Sequence, residues 1–225
     1  MIDIIFENEN FVVCNKPCQV LSVPSRDRLE KRPCLGILLK EKYRTEILPV
    51  HRLDYEVSGL IIYALNNKAH KISQGWFEQK KITKVYVAKT LKQNFSHWPE
   101  NVPTDRSVID VQAQKEFFWR TQIFRGKKRS FESPQGSIAE TKAHITSLES
   151  SEISWELYPL TGKPHQLRLE LSRHGFPILG DQLYGSTHII KNGIALKAVT
   201  LDLAGISNRL GLPPLIHLPH QLTVD

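Results

Sequence analysis

The apolar run at residues 60–65 (LIIYAL) constrains the fold more than any other feature of this sequence. It is short, rich in β-branched and aromatic residues, and follows Gly59, so it predicts a buried strand. Asp54 lies just before it, on a loop that a rigid core strand would hold, and such loops often carry functional groups. An Arg-x-Asp segment by itself is more often an ordinary capped turn in which Asp54 pairs with Arg52. The rest of the chain must decide between the two interpretations.

The remaining patterns predict many strands and few helices. Apolar residues at helical spacing predict helices at 34–43, 66–79 and 165–174. Alternating or short apolar segments predict strands at 2–6, 11–14, 20–23, 82–91, 140–148, 153–160 and 194–203. The segments at 140–148 and 153–160 are expected to form an antiparallel pair. Together these elements predict an α+β fold built on a mixed, mainly antiparallel sheet.

Residues 92–136 have the weakest pattern in the chain, because polar, basic and Pro residues surround scattered aromatic ones. We interpret this segment as an insertion or a flexible arm with one or two short strands. The rest of the 225 residues is expected to form a single domain.

The charge of the chain favours a polyanionic partner. Lys and Arg total 30 against 23 Asp and Glu, which gives a formal charge of +7 and a pI of about 9.3. The three cysteines are odd in number, and the N-terminus has no signal-peptide pattern. We therefore expect a cytoplasmic protein. No apolar run approaches the roughly 18 residues of a membrane helix, so no membrane partner is expected.

The sequence lacks the common motifs for binding a nucleotide cofactor or a metal ion. The sequence has no Gly-x-Gly-x-x-Gly, and a P-loop around Lys163 fails because residue 157 is Leu and residue 164 is Pro. His217 and His220 are the nearest approach to a metal pair, but they lie in a Pro-rich tail. The sequence therefore predicts neither a cofactor nor a metal.

Several motifs, in order, resemble the RluA family of pseudouridine synthases. The matching segments are residues 15–23 (NKPCQVLSV), 51–60 (HRLDYEVSGL), 84–88 (KVYVA), 160–168 (LTGKPHQLR), 175–185 (GFPILGDQLYG) and 194–198 (IALKA). The resemblance implies an extended mixed sheet in two halves with a central catalytic cleft. Because few residues precede the first motif, we expect no N-terminal S4-like RNA-binding domain.

The resemblance also assigns roles to five residues. Asp54 would be the catalytic nucleophile, and Arg168 would pair with it and keep the carboxylate charged. Tyr86 would stack on the target uracil and assist removal of the C5 proton. Arg52 would enter the RNA, and Leu196 would form the apolar side of the base pocket.

The resemblance implies that the enzyme isomerises a uridine in structured RNA, either a transfer RNA or a ribosomal RNA stem-loop, after flipping the nucleotide out of its stack. We expect a monomer. Lys127, Lys128 and Arg129 are candidates for phosphate contacts, and the aromatic and basic mixture at 117–131 could clamp RNA, although a solvated loop explains that segment equally well.

Two other functions remain open at this point. An inactive RNA-binding module of the same fold would not need Asp54, Tyr86 and Arg168 together. A glycoside hydrolase or nucleosidase could use Asp54, but a retaining pair needs a second carboxylate about 5 Å away, and Glu56 is the nearest one in sequence.

Overall fold

The computed structural model describes residues 2–27, 29–102, 104–220 and 222. Its elements, in chain order, are β1 (Ile4–Glu7), β2 (Phe11–Lys16), α1 (Leu35–Tyr43), β3 (Leu48–Pro49), β4 (Ser58–Ala64), α2 (Asn67–Glu78), β5 (Thr83–Leu91), β6 (Glu116–Arg125), β7 (Ser130–Glu132), β8 (Ser137–Leu148), β9 (Glu152–Pro159), α3 (Gln166–Arg173), a 3-10 turn (Gln182–Tyr184), β10 (Leu196–Asp202) and β11 (Leu215–His217). The chain divides into two compact units, residues 1–84 with 197–219, and residues 85–196 with 220–225.

The first unit is built around β4, the strand predicted from residues 60–65. This strand runs antiparallel to β2 and β3 and parallel to β10. β1 pairs with β2, and β11 pairs with β10. The residues of β4 from Gly59 to Ala64 are buried because both of its long edges are paired and an apolar cluster covers it.

The helix α2 closes the core of the first unit. Asn66 caps its N-terminus, since its side-chain oxygen accepts a hydrogen bond from the backbone N–H of Ala69 at 2.9 Å. Ala69 and Trp76 face the core, where the Trp76 ring lies 5.6 Å from that of Phe11. The helix predicted at residues 66–79 is therefore confirmed.

The strand predicted at residues 20–23 is wrong. Only Leu21 forms a bridge there, with Cys34. Ser22 is the reason: its hydroxyl bonds to the backbone of Leu53, and its carbonyl oxygen accepts a hydrogen bond from the Tyr63 hydroxyl at 2.7 Å. These contacts hold the segment as an irregular connection, so its apolar residues pack without forming a ladder.

The second unit is an antiparallel sheet in the order β5-β9-β8-β6-β7. The predicted pairing of residues 140–148 with 153–160 is confirmed by β8 and β9. The helix α3 packs on one face, where Leu169 joins Ile123, Ala139 and Tyr184 in an apolar cluster. We call this the inner face.

The weakly patterned segment 92–136 contains β6, a strand of ten residues, and the short strand β7. The interpretation of this segment as an insertion or an RNA-contacting arm stays a prediction. So does the single-domain organisation.

Candidate active site

Asp54 lies half-buried on the loop between β3 and β4, and the main chain on both sides of it is anchored. On one side, the buried Ser22 hydroxyl donates to the Leu53 carbonyl oxygen at 2.7 Å and accepts from the Leu53 N–H at 3.1 Å. On the other side, the Tyr55 carbonyl oxygen accepts from the Gln19 N–H at 2.8 Å. The loop is therefore held through backbone atoms.

Gly59 fixes the end of this loop. It has a φ of 113°, and a Cβ atom at this position would lie 2.1 Å from the backbone oxygen of Ala198. A side chain cannot fit there because β4 and β10 approach closely at this point. Only glycine allows the chain to enter β4 directly from the Asp54 loop.

Lys16 is a buried lysine beneath the same loop. Its ammonium donates to the carbonyl oxygens of Pro17 and Val20, at 2.9 and 2.8 Å, and more weakly to that of Tyr55 at 3.5 Å. Burial lowers the pKa of Lys16 to about 8, and the charges of Cys18, Asp54 and Glu56 oppose that shift. A charge buried here joins the turn after β2 to the Asp54 loop.

His51 is at the start of the Asp54 loop and has a structural role. Its Nε2 accepts a hydrogen bond from the Ile62 N–H at 3.1 Å, and its ring stacks on Phe77 with the centroids 5.0 Å apart. Burial lowers the pKa of His51 to about 3, so the ring is neutral at physiological pH, as an acceptor nitrogen requires.

Arg168 lies in the second unit, on the first turn of α3, and is buried. Its Nε and Nη2 donate to the two carboxylate oxygens of Asp181, at 2.6 and 2.8 Å. The guanidinium also lies over the ring of Tyr184, 5.2 Å from its centroid. A buried, bidentate ion pair of this kind sets the orientation of the arginine.

Tyr184 ties α3 to the β6–β7 hairpin. Its hydroxyl accepts from the Ser130 N–H at 2.8 Å and donates to the Ser130 carbonyl oxygen at 3.1 Å. It also lies 3.1 Å from the Nδ1 of His165, the N-cap residue of α3. The Ser130 hydroxyl in turn donates to the Pro164 carbonyl oxygen at 2.7 Å.

The other predicted residues fall in both units. Arg52 is exposed on the Asp54 loop. Tyr86 is half-buried on β5, in register with Leu157, so it belongs to the inner face. Leu196 is buried at the start of β10. Lys127, Lys128 and Arg129 are exposed at the tip of the β6–β7 hairpin.

Sequence reasoning missed four supporting residues, namely Lys16, Ser22, Asp181 and Tyr184. Each lies inside a segment that matched a motif, so the motif located it without giving it a role. For Lys16 there was one usable signal: a lysine ends the apolar strand 11–16 (FVVCNK), where a buried position is expected to need a partner.

Neither a metal site nor a membrane helix appears in the part of the chain that the structure describes. No group of three His, Cys, Asp or Glu side chains is arranged to hold a metal ion there. No helix in the same residues is long and apolar enough to cross a membrane. His220, one of the two tail histidines, has its Nδ1 3.0 Å from a carboxylate oxygen of Glu156.

Comparison with known proteins bears on this geometry. The model of a family described as RNA pseudouridylate synthase matches residues 10–173. The chain is 31% identical over 205 residues to the dual-specificity RNA pseudouridine synthase RluA of Vibrio vulnificus, covering 89% of this chain and 76% of that protein. It is 28% identical over 195 residues to tRNA pseudouridine synthase C of Haemophilus ducreyi, covering 83% and 75%.

A solved structure has the same fold. Human RNA pseudouridylate synthase domain containing 1 superposes with a TM-score of 0.68 at 20% identity, over 97% of this chain and 82% of that one. The predicted α+β fold is thereby confirmed.

Proposed function

The chain belongs to the RluA family of RNA pseudouridine synthases, and on that premise we propose that Asp54 is the nucleophile with which it converts a specific uridine in RNA to pseudouridine. The enzyme is an isomerase. We propose which residues carry out the reaction and which class of RNA is the substrate.

The reaction rearranges one nucleotide without adding or removing atoms. The N1–C1′ bond breaks, the uracil ring turns, and a C5–C1′ bond forms. The proton that leaves C5 is balanced by the proton that N1 gains. Because nothing is oxidised and no group is donated, a positioned, ionised carboxylate can start the reaction by attacking the nucleotide.

The observation that carries the proposal is the anchoring of the Asp54 loop through its backbone. Leu53 is held by Ser22, Tyr55 is held by Gln19 and Lys16, and Gly59 fixes the entry into β4. A nucleophile needs a position defined to a fraction of an ångström. This loop supplies such a position through its main chain.

Arg168 is proposed as the guanidinium that keeps Asp54 ionised. A positive charge beside a carboxylate favours its charged form. The bidentate contact with Asp181 and the ring of Tyr184 beneath the guanidinium support this role, because they hold the arginine in one orientation.

Tyr86, Leu196 and Arg52 are proposed to act on the RNA. Tyr86 would stack on the uracil, with its hydroxyl assisting removal of the C5 proton. Leu196 would form an apolar wall of the base pocket, and Arg52 would fill the space that the flipped nucleotide leaves. The half-buried position of Tyr86 and the exposure of Arg52 are compatible with these roles.

The proposed substrate is a structured RNA, either a transfer RNA or a ribosomal RNA stem-loop. One relative is named for tRNA, and another is named for dual specificity. A uridine inside a stack is out of reach, so we propose that it is flipped out, at a cost that stacking and backbone contacts offset. Lys127, Lys128 and Arg129 would contact phosphates.

The test is incubation of wild-type enzyme and the Asp54→Asn variant with total RNA from a strain that lacks this protein. Pseudouridine is then mapped at single-nucleotide resolution. We expect the wild type to produce one or a few new sites and the variant to produce none. Identical maps would show that Asp54 is not the nucleophile.

Glu56→Gln is the matched control, because Glu56 is the nearest carboxylate on the same loop. It should retain the wild-type map, since the proposed chemistry needs one carboxylate. Assay of free uracil in the same reactions separates the isomerase from a nucleosidase. Release of uracil in proportion to the loss of uridine would reject the rearrangement.

The basic hairpin tip is tested by the triple variant Lys127→Ala, Lys128→Ala, Arg129→Ala. Three lost phosphate contacts should weaken RNA binding and lower the slope of log affinity against log salt by about two to three. Lys68→Ala with Lys71→Ala, exposed positions on α2, is the control. An unchanged affinity and slope in the triple variant would reject the tip as an RNA contact.

A further inference from the structure

The aromatic residues of β6 divide between two faces of the sheet. Trp119 lies on the inner face, where it is buried and stacks on His174 at a centroid distance of 4.5 Å. Phe118 and Phe124 point to the opposite side, and they are 56% and 42% exposed. We call this side the outer face. The two sets of aromatic residues therefore lie in different environments, although they alternate along one strand.

Strand pairing extends the outer face across three further strands. Phe131 of β7 lies opposite Phe124, with ring centroids 5.5 Å apart, and is 43% exposed. On β8, Lys142 lies opposite Phe118, and Tyr158 of β9 lies opposite Lys142. At 3.3 Å per residue the six positions from Phe118 to Phe124 span ~20 Å.

Cations are interleaved with these rings. Arg120 lies between Phe118 and Phe124 on the outer face, 3.5 Å from the Glu140 carboxylate. Lys142 lies beside Phe118, and the exposed hairpin tip that carries Lys127, Lys128 and Arg129 continues from Phe124. The carboxylates on this face of β6, β8 and β9 are Glu116, Glu140, Glu152 and Glu156, of which Glu140 and Glu152 pair with Arg120 and Lys89. Positive charge is therefore concentrated towards the hairpin tip, and that end of the face favours an anionic partner.

The spacing of the rings identifies the kind of anion. A protein interface, or a second copy of this chain, needs a contiguous apolar core, whereas Arg120 and Glu140 separate Phe118 from the apolar group formed by Phe124, Phe131 and Ile138. Separate rings with cations between them suit unpaired nucleotides, whose bases stack on the rings while the phosphates meet the cations. A fully paired helix offers no free base faces.

Building on the RNA-modifying function proposed above, we propose that the outer face binds an unpaired segment of the RNA substrate by base stacking on Phe118, Phe124 and Phe131. The inner face, which carries Tyr86 and α3, lies on the other side of this sheet. An RNA bound to both the inner and the outer face would run around the tip of the β6–β7 hairpin. The outer face therefore contributes affinity and choice of substrate, and it leaves the chemical step alone.

The experiment measures binding of the full-length protein to two probes, a single-stranded RNA of twelve nucleotides and a duplex RNA of the same length. Phe118→Ala and Phe124→Ala are expected to weaken single-strand binding by about tenfold each. Duplex binding should stay within about twofold, since phosphate contacts dominate it. Phe118→Tyr keeps a stacking ring and should restore single-strand affinity.

Leu215→Ala is the matched control, because Leu215 is an apolar residue 53% exposed on β11. It should leave both affinities unchanged. The removed rings are exposed, so each variant should fold, and this is checked by thermal unfolding. Single-strand affinity within twofold of the wild type in both alanine variants would overturn the proposal.

Two further readouts distinguish the alternatives. If the wild type dimerises in sedimentation equilibrium and Phe118→Ala is a monomer, the outer face is a self-association surface and the proposal fails. The Asp54→Asn variant should bind the single-stranded probe normally and form no pseudouridine. The phenylalanine variants should raise KM and retain kcat on the mapped RNA. Failure of one proposal therefore leaves the other intact.

Discussion

The Asp54 loop and the first turn of α3 both hold a charged side chain, but they do so by different means. The loop is fixed through main-chain atoms, by Ser22 at Leu53 and by Gln19 at Tyr55. Arg168 is fixed through its own guanidinium, which is buried against the Asp181 carboxylate. The first arrangement holds the loop through contacts that do not involve the side chain at position 54. The second makes the fold depend on the charged group itself.

This difference indicates which mutations at a reactive centre lower the stability of the fold. Where the main chain of a loop is anchored, replacing a side chain on it costs little folding free energy. A buried side chain held by an ion pair cannot, because removing one partner leaves the other charge buried without compensation. The three predictions below test this distinction.

The largest effect is expected from Asp181→Asn. It removes a bidentate charged partner of the buried Arg168, so the free energy of unfolding should fall by about 3–5 kcal/mol. Asp54→Asn, the matched carboxylate change on the loop, should cost less, because the main-chain anchors at Leu53 and Tyr55 remain. Urea unfolding measures both. Equal losses in the two variants would break the comparison.

An intermediate effect is expected at Glu170, a buried carboxyl group on α3. Its Oε2 lies 3.8 Å from the His174 Nε2 and 4.0 Å from the Arg173 Nη1. Burial raises the pKa of Glu170 from 4.5 to about 7, and contacts with Thr121 and Arg173 oppose that shift. The folded state therefore binds this proton more tightly than the unfolded chain does.

The stability that this carboxyl contributes is present below pH 4.5 and is lost as the pH rises through about 7. Glu170→Gln should therefore be more stable than the wild type by about 3 kcal/mol at pH 8 and by little at pH 4. Thermal unfolding at the two pH values measures this. A uniform shift at both pH values would mean that Glu170 is not held neutral.

The smallest effect on stability is expected from Ser22→Ala, which removes both hydrogen bonds to Leu53. The loss should be about 1–2 kcal/mol. Because Leu53 precedes Asp54, kcat for pseudouridine formation should fall while KM stays near the wild-type value. Ser25→Ala, an exposed serine in the same connection, is the control. A raised KM with an unchanged kcat would mean that Ser22 does not position the loop.

The sequence predicted elements well where one face of a strand or helix is buried and the other is exposed. The strands β8 and β9 alternate regularly, and α2 repeats its apolar positions at helical spacing, so period and burial agree. β6 was hard to predict because Phe117, Phe118 and Trp119 are consecutive. With aromatic residues on both faces, the alternation of apolar and polar residues disappears. The pattern therefore predicts an arm with one or two short strands where the structure has a ten-residue strand.

The partners of the reactive residues could not be predicted from local pattern. Asp181 lies thirteen residues from Arg168 and meets it only because the chain turns back after α3. Ser22 lies 31 residues from Leu53 and occupies a segment that looked like a strand. Such contacts depend on the path of the chain in space, which neither period nor composition encodes.

The hydroxyl of Tyr184 has one more consequence, for the boundary of the sheet. β7 is the last strand of the second unit, and an unpaired edge invites pairing with the backbone of another molecule. By donating to the carbonyl oxygen of Ser130 and accepting from its N–H, one phenol occupies both backbone groups that begin this edge. Tyr184 thus caps the start of this sheet edge as a neighbouring strand would.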